Sequence, residues 1–99
     1  MEDKEEISFF IPEDDNDLTI DGKIYIKLYD VKMKGEKWRF NKNDKDTFPS
    51  KPHGHNLETG EKINIWTGEI WDKNKTLKRK FSDKKVLFIQ SKLRDRGFI

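Results

Sequence analysis

The chain contains neither cysteine nor alanine among its 99 residues. Without cysteine there is no disulfide framework, no thiolate metal site and no cysteine nucleophile. Apolar residues are scarce, at 32% against 40% charged, and the mean hydropathy is -1.02. No apolar run approaches the roughly 18 residues that a membrane-spanning helix needs. The N-terminus is acidic and lacks the basic start and apolar stretch of a signal peptide. A cytoplasmic protein that does not engage a membrane is therefore expected.

A chain of this length makes about one domain and buries roughly 60–65% of its unfolded surface. Low apolar and high charged content lean towards disorder. The 12% aromatic content and the patterning of the apolar residues point instead to a folded, thinly cored domain.

The net charge of +2 is a sum of two opposed parts. Residues 1–21 carry nine acidic groups and one lysine, a net of -8, and residues 22–99 carry twenty basic and ten acidic groups, a net of +10. The expected division is an acidic, partly disordered leader over residues 1–17 and a single domain over 18–99. A basic body suits nucleic acid or another anionic partner. The same bias, with lysine supplying seventeen of twenty-one basic residues, is also what base composition alone produces.

Along the chain, Ile7–Ile11 is a short apolar run stopped by Pro12, as in an edge strand. Asp21-Gly22 lies between Leu18–Ile20 and Ile24–Tyr29, the pattern of a hairpin closed by a type I′ turn. Trp38 and Phe40 share one face of a further strand, with Lys37 and Arg39 on the other. Residues 41–52 read as a long polar loop. Two Thr-Gly pairs, at 59–60 and 67–68, bracket and follow the alternating run Lys62–Trp66 and predict a meander. No internal repeat and no second domain are expected. Near the C-terminus Ser82 suits an N-cap, Asp83 a first turn, Lys92, Arg94 and Arg96 a last turn, and Gly97 a C′ position. Val86, Ile89 and Leu93 recur at helical spacing, which predicts a helix over 83–95. Strands followed by one helix give an α+β fold: a small antiparallel β-meander sheet with a C-terminal helix packed on it.

The only two histidines, His53 and His55, flank Gly54. In an extended segment they lie on one face, where they can serve as general acid and base, hydrogen-bond to phosphate, or ligate a metal. They are the candidate catalytic pair, with Lys51, Lys62 or Arg39 in support, as in a metal-independent ribonuclease. A metal site requires a third ligand, which without cysteine is a carboxylate such as Asp44, Asp46, Glu58 or Glu61. None of these stands at a diagnostic spacing, so no metal or cofactor is assigned. The structural alternative is that the histidines pin a loop.

Lys73, Lys75, Lys78, Arg79, Lys80, Lys84 and Lys85 form a basic cluster leading into the predicted helix start. With Arg39 and Lys51 they are the candidate contacts to nucleic acid or another anion. Trp66 falls opposite Ile63 and Ile65, and Tyr25 and Tyr29 fall opposite Ile24, Ile26 and Leu28. If exposed, these aromatics suit base stacking or a protein interface. The thin core and open edge strands also admit a homodimer.

The stretch Pro52-His53-Gly54-His55, followed by Ile63–Ile70 with its Thr67-Gly68-Glu69 turn, resembles a group of small uncharacterised prokaryotic proteins. These share a Pro-His-x-His element, a Thr-Gly-Glu β-meander, a lysine-rich stretch and a short helix. The resemblance covers about residues 48–95. Some members look like toxin–antitoxin or mobile-element proteins. This implies a binding module of a toxin–antitoxin, phage or defence system that contacts nucleic acid or a partner protein. A ribonuclease-like toxin and a phage-type inhibitor using the acidic leader are the alternative functions.

Overall fold

A computed structural model describes residues 6–14 and 35–99 of the chain. Among the described residues six strands form one sheet: β1 (Glu6–Pro12), β2 (Gly35–Asn41), β3 (His53–Asn56), β4 (Lys62–Asn64), β5 (Glu69–Trp71) and β6 (Leu77–Lys80). They lie in chain order, and each pairs antiparallel with the next. One helix, α1 (Asp83–Asp95), follows. The expected α+β meander with a C-terminal helix is the fold observed. The Asp21-Gly22 hairpin, Tyr25 and Tyr29 lie outside the described residues.

Strand register explains which face is dry. Ile7 pairs with Phe40, Phe40 with Gly54, Gly54 with Ile63, and Ile63 with Ile70. Side chains directly opposite one another project from the same side of a sheet. This row and the parallel row of Phe9 and Trp38 make one apolar face. The helix supplies Val86, Phe88, Ile89 and Leu93 against it, and all four are buried. Phe9 stacks on Phe40 at 4.9 Å and meets the edge of Phe88 at 5.9 Å.

Helix ends follow the local chemistry. The Ser82 side chain accepts from the Lys85 N–H at 3.3 Å, and Asp83 occupies the first turn. At the far end Gly97 has φ +74, and the Phe98 N–H donates to the Leu93 carbonyl. A glycine in this conformation closes a helix without a Cβ penalty.

Two expectations are revised. The expected edge strand at Ile7–Ile11 is observed as β1, with Ile7, Phe9 and Ile11 pairing with and covering β2, and what changes is the boundary of the acidic leader. The folded unit thus includes chain N-terminal to residue 18. The chain also contains an eight-residue repeat, Asn56-Leu57-Glu58-Thr59-Gly60-Glu61 and Asn64-Ile65-Trp66-Thr67-Gly68-Glu69. Asn56 Oδ1 accepts from the N–H groups of Glu58 and Thr59, as Asn64 Oδ1 does from Trp66 and Thr67. Thr59 donates to Glu61 and Thr67 to Glu69, each glutamate N–H returning a bond to the threonine hydroxyl. The period is far below that of solenoid arrays, which is why it does not announce itself as a repeat.

Candidate functional site

The face of the sheet away from the helix carries a second row: Ser8, Arg39, His55, Lys62 and Trp71. His53 lies two residues from His55 on the same face. The loop of residues 42–52 folds over this row. Asp44 and Asp46 each turn the loop by accepting a backbone N–H two residues on, from Asp46 and Phe48. Phe48 packs edge-on against Trp71 at 5.4 Å. Asn64 Nδ2 donates to the Pro49 carbonyl, so the second Asn of the repeat also fastens this loop.

The loop brings Asp44 to both histidines. His55 Nε2 is 2.9 Å from Asp44 Oδ2, His53 Nε2 is 3.6 Å from the same oxygen, and the imidazole centroids are 4.6 Å apart. His53 is fully buried, whereas the His55 and Asp44 side chains are 20% and 24% exposed. Gly54 between them is required by packing: a Cβ there would stand 2.6 Å from Phe40 Cε2 and 2.8 Å from Ile63 Cγ2.

The hydrogen bonds assign the His53 tautomer. Its Nδ1 lies 2.9 Å from the Ser50 carbonyl oxygen, which can only accept, so Nδ1 carries the proton. Ser50 is itself held, donating to the Pro52 carbonyl and accepting from the Ile65 N–H. Nε2 is then a bare lone pair, buried and without a hydrogen-bond partner among the described residues. Burial holds the His53 pKa below its usual value, against the opposing Ser50 bond and Asp44 charge. At Asp44 burial pushes upward, but the His55 bond, the Asp46 N–H and the nearby imidazoles leave the carboxyl below its ordinary value. Lys62 next to the site is paired with Asp46, whose pKa its hydrogen bond lowers to about 2.

His53 and His55 are thus brought together, but not as an exposed acid–base pair. The buried His53 has no access to a substrate proton, and only His55 reaches solvent. The residue left unassigned in the sequence is Asp44. It stood among four candidate carboxylates, and only the path of the loop selects it.

The predicted basic contacts divide. Arg79 sits opposite Ile70, on the helix-facing side of β6. It makes two bonds to Glu36 and a third to Glu61, so its charge is matched and it is corrected from an anion contact to a structural clamp. Arg39 lies in the His55 row with a buried Nε that has no partner among the described residues. Lys51, Lys73, Lys75, Lys78 and Lys80 are exposed, with Lys75 over the Phe48 ring. Lys84 and Lys85 lie in the first turn of α1, and Lys85 stands over Phe81. Trp66 is 51% exposed in the β4–β5 turn.

The clamp has a pH signature. The Arg79 hydrogen bonds, opposed by burial and aided by the Arg79 charge and the Asn56 amide, hold the Glu36 pKa below its ordinary value of 4.5. A carboxyl with a depressed folded pKa stabilises the fold fully above its unfolded pKa. That contribution is lost as pH falls below 4.5 towards the folded value. Glu36→Gln is expected to flatten this part of the acid limb. Urea midpoints measured between pH 7 and pH 3 for both chains check it, and an unchanged acid limb would contradict it.

Among the described residues no helix is long and apolar enough to cross a membrane. Compared with protein families, curated proteins and solved structures, the chain matches none.

Proposed function

We propose that the protein is a small nucleic-acid-binding module that takes single strands at the end of the molecule where the β4–β5 turn meets the start of α1. The observation that carries this is the exposed Trp66 beside a lysine-rich helix start. The Phe81 N–H donates to the Gly68 carbonyl at 2.9 Å, and Gln90 Nε2 donates to the Ile65 carbonyl at 2.9 Å. These bonds hold the Trp66 turn against the segment that carries Lys80, Lys84 and Lys85. A half-exposed indole on a rigid turn offers a stacking platform for a base. Lysines beside it, with the positive end of the helix dipole, attract the phosphates. Lys73, Lys75 and Lys78 continue the positive charge along the β5–β6 hairpin and β6.

Fluorescence anisotropy with labelled single-stranded oligonucleotides at several salt concentrations tests the reading. Base–aromatic stacking is worth about 1–3 kcal/mol, so Trp66→Ala should weaken binding by about 5- to 150-fold. Each phosphate neutralised on a single strand contributes about 0.7 to the salt slope. Replacing Lys80, Lys84 and Lys85 together by glutamine should therefore lower the slope by about 2. Affinity unchanged in Trp66→Ala, or no binding at low salt, would overturn the proposal.

A further inference from the structure

We infer that Asp44, His53 and His55 form a binding site for one divalent first-row transition metal of the zinc class. This inference is independent of the nucleic-acid reading and uses the opposite face of the sheet from α1. Its basis is the convergence of three donor atoms. One donor atom from each of the three residues lies within 4.8 Å of those of the other two, and the Nε2 atoms of both histidines approach the same oxygen, Asp44 Oδ2. Metal–ligand bonds of about 2.0–2.2 Å put neighbouring ligand atoms about 3.0–3.5 Å apart in octahedral or tetrahedral sites. The two distances to Asp44, 2.9 and 3.6 Å, already bracket that range.

The second basis is His53 itself. A buried imidazole whose lone pair meets no donor forfeits the hydrogen bond that water would give it. Here its Nε2 lies 3.6 Å from the Asp44 oxygen, and the opposite ring nitrogen is fixed by the Ser50 carbonyl. Metal-ligating histidines show this arrangement, with the second N–H on a backbone carbonyl setting the tautomer and ring orientation. Ser50 is fixed in turn by Pro52 and Ile65, so the support is built into the sheet.

The donor set selects the ion class. Two imidazoles with one carboxylate suit zinc, iron, cobalt or nickel, whereas magnesium and calcium take oxygen ligands. Three protein ligands leave coordination positions for water or a ligand from solution. Asp46 neutralises Lys62, which would otherwise bring an ammonium close to the cation. His55 adapts simply: its Nε2, now donating to Asp44, becomes a ligand when the ring proton moves to Nδ1. The metal then ties the 42–52 loop to β3 through Asp44.

The test uses the full chain, free of any affinity tag and stripped with chelator. It is titrated with Zn2+ by calorimetry and with Co2+ by visible absorption. The expected result is one ion per chain at micromolar concentration or below, with a cobalt ligand-field band. At a hundredfold excess of metal over Kd, the thermal midpoint should rise by about 10 °C or more. Asp44→Asn and His55→Gln alter partly exposed side chains and spare the buried ring. Each should keep its circular dichroism spectrum and lose at least about 100-fold in metal affinity. Absence of uptake, uptake only at millimolar metal, or uptake undiminished in both variants would overturn the inference. A variant that fails to fold is replaced by Asp44→Ser or His55→Asn, judged by the same criteria.

Discussion

Phe88→Ala is expected to lower the unfolding free energy by about 3–5 kcal/mol. The ring is fully buried, and it meets the edge of Phe9 while Phe9 stacks on Phe40. It therefore joins the helix, the edge strand β1 and the second strand in one aromatic contact. Removing it deletes the transfer energy of the ring and leaves a cavity that a short helix cannot collapse to fill. Small domains have about 5–15 kcal/mol of stability in total, so this variant is expected to be largely unfolded under mild denaturant. Leu87, the next residue, is 49% exposed, and Leu87→Ala should change stability by no more than about 0.5 kcal/mol. Urea unfolding followed by tryptophan fluorescence compares the two. A Phe88→Ala cost under about 1 kcal/mol would contradict the packing of α1 on the sheet.

The second large effect separates the two copies of the repeat. Gly60 and Gly68 occupy equivalent positions, with φ +77 and +83. A Cβ at Gly60 meets nothing within 4 Å, whereas at Gly68 it would stand 2.7 Å from Val86 Cγ2 and 2.9 Å from the Phe81 carbonyl oxygen. Gly60→Ala thus adds only the left-handed backbone penalty, about 1 kcal/mol. Gly68→Ala adds to it the overpacking of a turn against the helix start, about 1–3 kcal/mol more. The expected total is about 2–4 kcal/mol. Equal costs at the two positions would mean that the Trp66 turn is not pressed against α1. Because that contact also positions Trp66, Gly68→Ala should weaken oligonucleotide binding as well.

Local chemistry in this chain was readable and long-range pairing was not. The helix over 83–95 follows from Ser82, the spacing of Val86, Ile89 and Leu93, and Gly97, all signals contained within one element. The burial of Trp38, Phe40, Ile63 and Ile65 follows from period-2 alternation, and each is fully buried. Alternation leaves the exposure of Trp66 open; it is exposed because it sits in the turn after β4, which ends at Asn64. By contrast, the neutralisation of Arg79 depends on Glu36, 43 residues away, and on a register spanning five strands. Asp44 reaches His55 across 11 residues of loop whose path is set by two Asx turns and by Asn64. Nothing in residue spacing distinguishes it from Asp46, which pairs with Lys62 instead. The two Thr-Gly pairs were legible as turns but not as an eight-residue repeat. Its meaning lies in the side chains of Asn56 and Asn64, which only the hydrogen bonds disclose.

The central claim is that the 42–52 loop fixes His53 with its proton on Nδ1 and a bare Nε2 turned towards Asp44 and His55. Long-range proton–nitrogen NMR of the imidazole rings in the metal-free chain measures this directly. The account predicts His53 as the neutral Nδ1–H tautomer, with its pKa below the ordinary histidine value because of its burial. A His53 ring in the Nε2–H tautomer, or one that takes up a proton at the ordinary histidine pKa, would contradict it.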